Sequence, residues 1–148
     1  MVSNVMGQNR HDEVLPLVRR IAMISFTISF VLFVFLNLKP VWFIGFYDQG
    51  PAFIAEATDV IRIVSIALLL MSFGTVWLNA VTGTGNTVVN LTIETITIVI
   101  YSVYVYVTLE VMNLPITWGW GSEWVYWTSM FLMAYLYLRS GRWRKKIL

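Results

Sequence analysis

From Ile63 to Ile93 the chain runs thirty-one residues without an aspartate, glutamate, lysine or arginine, and Ile21 to Leu38 adds another eighteen. Uncharged runs of this length limit the possible folds more than any other feature. A helix needs about 20 predominantly apolar residues to cross the hydrocarbon core of a bilayer. Inside lipid every backbone amide must be satisfied within the segment, which a helix achieves. Of the 148 residues 58% are hydrophobic and 12% charged, whereas a soluble domain holds about 25% charged residues. Too few charges remain to coat a globule. The sequence reads as an all-α integral membrane protein.

Four transmembrane helices are expected, over 18–38, 55–82, 88–111 and 122–138. They are flanked by a segment 1–17 and a basic tail 139–148. Pro40, Pro51 and Pro115 stand where helices end or begin. Arg10, Arg19 and Arg20 precede the first helix, and Arg139, Arg142, Arg144, Lys145 and Lys146 follow the last. Acids gather on the other side, at Asp48, Glu56, Asp59, Glu110 and Glu123. Lysine and arginine are retained in the cytoplasm, so both termini are expected there, as an even number of crossings requires. Trp42, Phe43, Phe46 and Tyr47, and then Trp118, Trp120, Trp124 and Trp127, read as interfacial aromatics. The lipid bilayer is the first partner expected. With no cysteine, neither a disulfide framework nor a thiolate metal site is available. The net charge of +2 follows from orientation and implies no nucleic acid.

The stretch Trp77 to Glu94, WLNAVTGTGNTVVNLTIE, poses a choice between a phosphate-binding loop and a turn. A phosphate loop needs a preceding strand, and a lysine or a third glycine; the stretch has none of these. Gly83 or Gly85 can adopt the positive φ that ends a helix, and Asn86 or Thr87 can cap the next. A tight hairpin between the second and third membrane helices is expected.

Two of the helices carry polar residues at helical spacing. On the third, Asn90, Glu94, Thr97, Tyr101, Tyr104 and Thr108 recur at intervals of four, three, four, three and four, which draws one stripe along a helix. On the second, Ser65, Ser72, Thr75, Asn79 and Thr82 do likewise. Because the hairpin makes these helices neighbours, the stripes are expected to face each other or to line one cavity. Glu94 is the acid placed well inside an apolar run, about 10 Å from the hairpin at 1.5 Å per residue. A charge at a helix centre costs on the order of 2.5–3.5 kcal/mol on insertion scales. It therefore either binds a proton, cation or cationic substrate, or hydrogen-bonds to Asn79, a hydroxyl or a nearby base. The candidate substrate or ion pathway is Glu94, Asn79, Thr75, Ser72, Thr97 and Tyr101. Small hydroxyl residues also pack membrane helices, so structural roles stand beside functional ones.

The remaining polar residues hold no further site. His11 has no second ligand at metal spacing and reads as solvated, and Glu56, Asp59 and Arg62 read as local pairing. Nucleophile, base and oxyanion donors are not gathered anywhere, so no enzymatic activity, metal or bound cofactor is expected.

In order and spacing, three segments resemble the multidrug and toxic compound extrusion (MATE) family of bacterial efflux transporters. VSNVMGQNRHDEVLPLVRR resembles the segment leaving that family's eighth helix, and WLNAVTGTGNTVVNLTIE its hairpin between the tenth and eleventh helices. WGSEWVYW with YLRSGRW resembles the lead-in and end of its twelfth. The resemblance spans essentially the whole chain. It implies that the four helices equal the last four of a twelve-helix, two-lobe transporter, with 1–17 a cytoplasmic segment after a preceding helix. It also implies a bacterial inner-membrane location, and export of organic, often cationic, compounds in exchange for Na+ or H+. In those terms the chain is a C-terminal fragment, inactive without the remaining helices. The family's coupling acids on the first and seventh helices lie outside it. The region LLLMSFGTVWLNA, matching the tenth, lacks the acid found there in some members, which leaves Glu94 on the helix equivalent to the eleventh. The alternative is a small standalone four-helix scaffolding or assembly subunit, whose polar stripes would be packing faces.

Overall fold

The computed structural model describes residues 1–47 and 50–145. Seven helices follow in order: α1 (Val2–Gly7), α2 (Val14–Leu38), α3 (Pro40–Ile44), α4 (Pro51–Gly83), α5 (Thr87–Tyr106), α6 (Ile116–Trp120) and α7 (Ser122–Arg139). Pro40 and Pro51 open α3 and α4, where the missing N–H is not needed. The described residues contain no strand. Asp48 sits outside the described residues, as do Lys146, Ile147 and Leu148.

Among the described residues, three stretches are long and apolar enough to cross a membrane: His11–Leu38, Pro51–Gly83 and Thr87–Val111. The fourth expected crossing folds as α7 but is not among them. It is 18 residues long, about 27 Å at 1.5 Å per residue, and serine, tyrosine and tryptophan dilute its apolar character.

The helices do not pack in chain order. α4 lies at the centre, with α2 along one side and α7 along the other, and α5 packs chiefly on α7. The α4–α7 crossing is close because Gly74 lacks a side chain. A Cβ there would stand 3.0 Å from Trp127 Cε3 and 3.2 Å from its carbonyl oxygen. Below it, Trp77 meets Phe131 and Tyr135 edge-on, with ring centroids 5.9 and 5.0 Å apart. These separations fall within the favourable range for aromatic pairs. Across the other interface, Asn37 Nδ2 donates to Ser65 Oγ at 2.8 Å. Trp124 Nε1 donates to the Ile63 carbonyl oxygen at 2.8 Å. Trp124 and Trp127, expected as interfacial aromatics, are thus part of the seam between α7 and α4.

Outer faces remain bare. On α2 only Val14, Val18 and Ala22 are buried, one residue per turn along a narrow stripe, while Ile24, Ile28, Val31 and Phe35 are exposed. On α5 Leu91, Ile98, Val99 and Val103 are likewise exposed. Apolar area on this scale, unsupportable in water, fits contact with lipid or with further helices.

The two chain ends meet. Val2, Met6, Val14, Leu138 and Trp143 share one core cluster with Val81, so segment 1–17, the α4–α5 hairpin and residues 139–144 gather at one end of the bundle. Trp143 is fully buried and its Nε1 donates to the Leu138 carbonyl oxygen at 2.7 Å. Arg144 reaches Asp12 at 2.9 Å. His11, expected to be solvated, instead lies beside the Trp143 ring, 6.0 Å between centroids.

Candidate functional site

The polar stripe of α5 becomes a face. Thr97 and Thr108 are buried, Asn90, Glu94, Tyr101 and Tyr104 are half-buried, and most of their neighbours along the helix are exposed. That face turns toward α7, where Tyr101 meets Tyr126 edge-on at 5.9 Å. At the far end of the stripe, around Thr108, the helix widens into a π turn over Val107–Val111, with the Met112 N–H donating to the Val107 carbonyl oxygen at 2.9 Å. Such turns recur at functional positions in helices.

Glu94 is held by its own helix. Asn90 Nδ2 donates to Glu94 Oε1 at 3.1 Å, and Thr82 Oγ1 donates to Asn90 Oδ1 at 2.8 Å. This short relay starts beside the hairpin and ends at the carboxylate. It leaves Glu94 further acceptor capacity, since an ionised carboxylate offers about four lone-pair sites. One turn further on, Thr97 is fully buried, and its Oγ1 has no hydrogen-bond partner. The same holds for Thr75 Oγ1 on α4. Buried hydroxyls without partners are uncommon in folded proteins, and these two stand in the expected pathway.

The other expected residues separate. Ser72 is buried and satisfied by the Leu69 carbonyl oxygen at 2.7 Å. Asn79 is exposed. It lines a 240 Å³ cavity with Val2, Val18, Ile21, Val76 and Gly83, on the α2 side of α4 rather than toward Glu94. The α4 and α5 stripes therefore meet only beside the hairpin, where Thr82 donates to Asn90; beyond it the expectation that they face each other is corrected, since the upper α4 stripe enters the α2 interface at Ser65 and the α5 stripe faces α7. A three-residue connection (84–86) dictates only where two helices join, and α7 wedges between them beyond it. Sequence reasoning missed Tyr126, whose position near the start of an aromatic-rich helix resembles that of an interfacial residue.

In the hairpin, Gly85 takes the positive φ, at 79°. Gly83 stays helical and is needed for space, since a Cβ there would stand 2.8 Å from Val2 Cβ. Asn86 occupies the position before α5, but its side chain makes no cap. It donates to Thr84 Oγ1 at 3.4 Å instead. No group of three or more histidine, cysteine, aspartate or glutamate side chains able to hold a metal occurs among the described residues.

Long helices with bare apolar flanks and an acid on an inward polar face define a multi-pass membrane protein. A family model for MatE matches residues 1–107. The chain belongs to this family, whose members are transporters and not enzymes. No curated protein and no solved structure matches it.

Proposed function

We propose that this chain forms the C-terminal helices of a multidrug efflux antiporter of the bacterial inner membrane. It exports organic, often cationic, compounds in exchange for Na+ or H+, α7 makes the fourth crossing, and both termini are cytoplasmic. The observation behind this reading is the α5 face bearing Glu94, in a chain matched by MatE over residues 1–107. Alternating access rocks two lobes about a central site. Four helices supply less than two lobes, so transport requires the remaining helices as partners.

In this reading Glu94 binds the coupling proton or cation, or meets a cationic substrate. Thr97 and Tyr101 add oxygen donors along the same face, and the Asn90–Thr82 relay holds the carboxylate in place. Ethidium efflux from cells carrying the complete twelve-helix transporter tests this. Glu94→Gln is expected to reduce efflux at least tenfold or to abolish its dependence on the ion gradient; unchanged rate and coupling would remove Glu94 from the mechanism. The chain expressed without the other helices is expected to give no efflux. An unrelated scaffolding subunit fits the charge pattern equally well, but has no reason to match a transporter family over most of its length.

A further inference from the structure

At the end of the bundle where the chain ends gather, a cavity of about 520 Å³ opens between α2 and α7. Arg19 of α2 and Arg139 of α7 stand on its walls with Tyr135, and Trp77 of α4 forms its floor. Arg19 stands just before the uncharged run Ile21–Leu38, and Arg139 closes α7 directly after Leu138. Both guanidinium groups therefore sit where apolar helix gives way to water, at the level of lipid headgroups. None of the described residues lining the cavity is acidic. The nearby acids Asp12 and Glu13 are engaged by Arg144 and Arg10, and neither Arg19 nor Arg139 has an ion-pair partner among the described residues. Arg139 Nη1 donates to the Tyr135 hydroxyl at 3.4 Å, which occupies a single one of its N–H donors. Toward the middle of the bundle the same groove is walled by rings. Phe26 lies two turns along α2 from Arg19, Phe73 one turn along α4 from Trp77, and Phe131 one turn along α7 from Tyr135. Phe73 meets Phe26 and Phe131 with centroids 5.2 and 5.8 Å apart, and all three rings are half-buried.

We propose that this groove binds an anionic phospholipid, its phosphate between Arg19 and Arg139 and an acyl chain along Phe26, Phe73 and Phe131. Guanidinium forks match phosphate oxygens in geometry and charge, and basic pockets between membrane helices bind anionic headgroups. Free phosphate would satisfy the arginines but leave the ring-walled track unused. A zwitterionic headgroup would bring its own cation into a cavity already lined by two. The site uses neither Glu94 nor transport activity, so its failure and that of the efflux reading are distinguishable.

Native mass spectrometry of the whole chain, released from detergent micelles after titration with dioleoylphosphatidylglycerol, tests it. The expected result is a saturable one-to-one adduct that weakens about tenfold or more in the double variant Arg19→Gln with Arg139→Gln. Dioleoylphosphatidylcholine is expected to bind weaker by a similar factor. The control variant Arg20→Gln with Arg142→Gln removes the same charge outside the cavity and is expected to keep the adduct. Glycerophosphoglycerol, the same headgroup without acyl chains, and inorganic phosphate are expected not to displace the lipid. The proposal is overturned by absence of a saturable adduct, by equal binding of the two lipids, or by equal effects of the two double variants. Displacement by the free headgroup or by phosphate overturns it too, since the site would then take phosphate alone. All four arginines are exposed, so an unchanged gel-filtration profile is expected and keeps the comparison valid.

Discussion

Trp143 and Asp12 sit within one small junction yet contribute very differently to stability. Trp143 is fully buried between the chain ends and hydrogen-bonded through its indole, and truncating a buried tryptophan costs about 3–5 kcal/mol. The Asp12–Arg144 pair is short, but its side chains are 90% and 44% exposed, and such surface pairs contribute about 0–1 kcal/mol. Trp143→Ala is therefore expected to lower the detergent-solubilised Tm by several degrees, and Asp12→Asn to leave it nearly unchanged. Equal effects from both would show that charge, not burial, joins the ends. His11 illustrates what single residues conceal. Nothing in GQNRHDEV indicates that a ring from the far end of the chain will lie against it, because that neighbour is more than a hundred positions away. Glu94 was legible as an outlier, an acid in an apolar run. Its hydrogen-bond partner, Asn90, was equally visible as a stripe neighbour one turn away.

Between elements, the decisive contact is α4 on α7. Gly74 permits it, and the sequence offers Gly74 only as a glycine inside a long helix, where alanine is favoured by about 1 kcal/mol. Overpacking a tight contact costs about 1–3 kcal/mol, and the obstruction here includes the Trp127 backbone carbonyl, which cannot rotate away. Gly74→Ala is expected to be net destabilising despite its better helix propensity, read as a lower Tm and faster cleavage by a protease in detergent. A more stable variant would mean that the helices separate without penalty. The polar stripes were visible as periodicities of α4 and α5, and the α5 stripe does form a single inward face. Which helix it faces was not visible. Periodicity gives the angular position of a face on its own helix and carries no information about the neighbour opposite.

For the whole molecule, the chain has no cysteine, which makes its sidedness directly measurable. Ser3→Cys and Ser140→Cys are expected to react with an impermeant maleimide from one side of the membrane, and Phe46→Cys from the other. Ser3 and Ser140 are exposed at the shared end, and Phe46 is 87% exposed at the opposite one. Labelling of all three from one side would overturn the transmembrane arrangement. The sequence by itself determined that the chain is helical and meets a bilayer, because the length and apolarity of a run are local quantities that the hydrocarbon core reads directly. It also determined the hairpin, expected at 83–87 and found at 84–86, since turn chemistry is local. Only the tertiary structure decided that α7 lies between α4 and α5, that Asn79 turns away from Glu94, and that the N-terminal segment closes on Trp143. Those outcomes depend on which side chains leave room for one another across gaps in sequence, a property of the packed volume and not of any one segment.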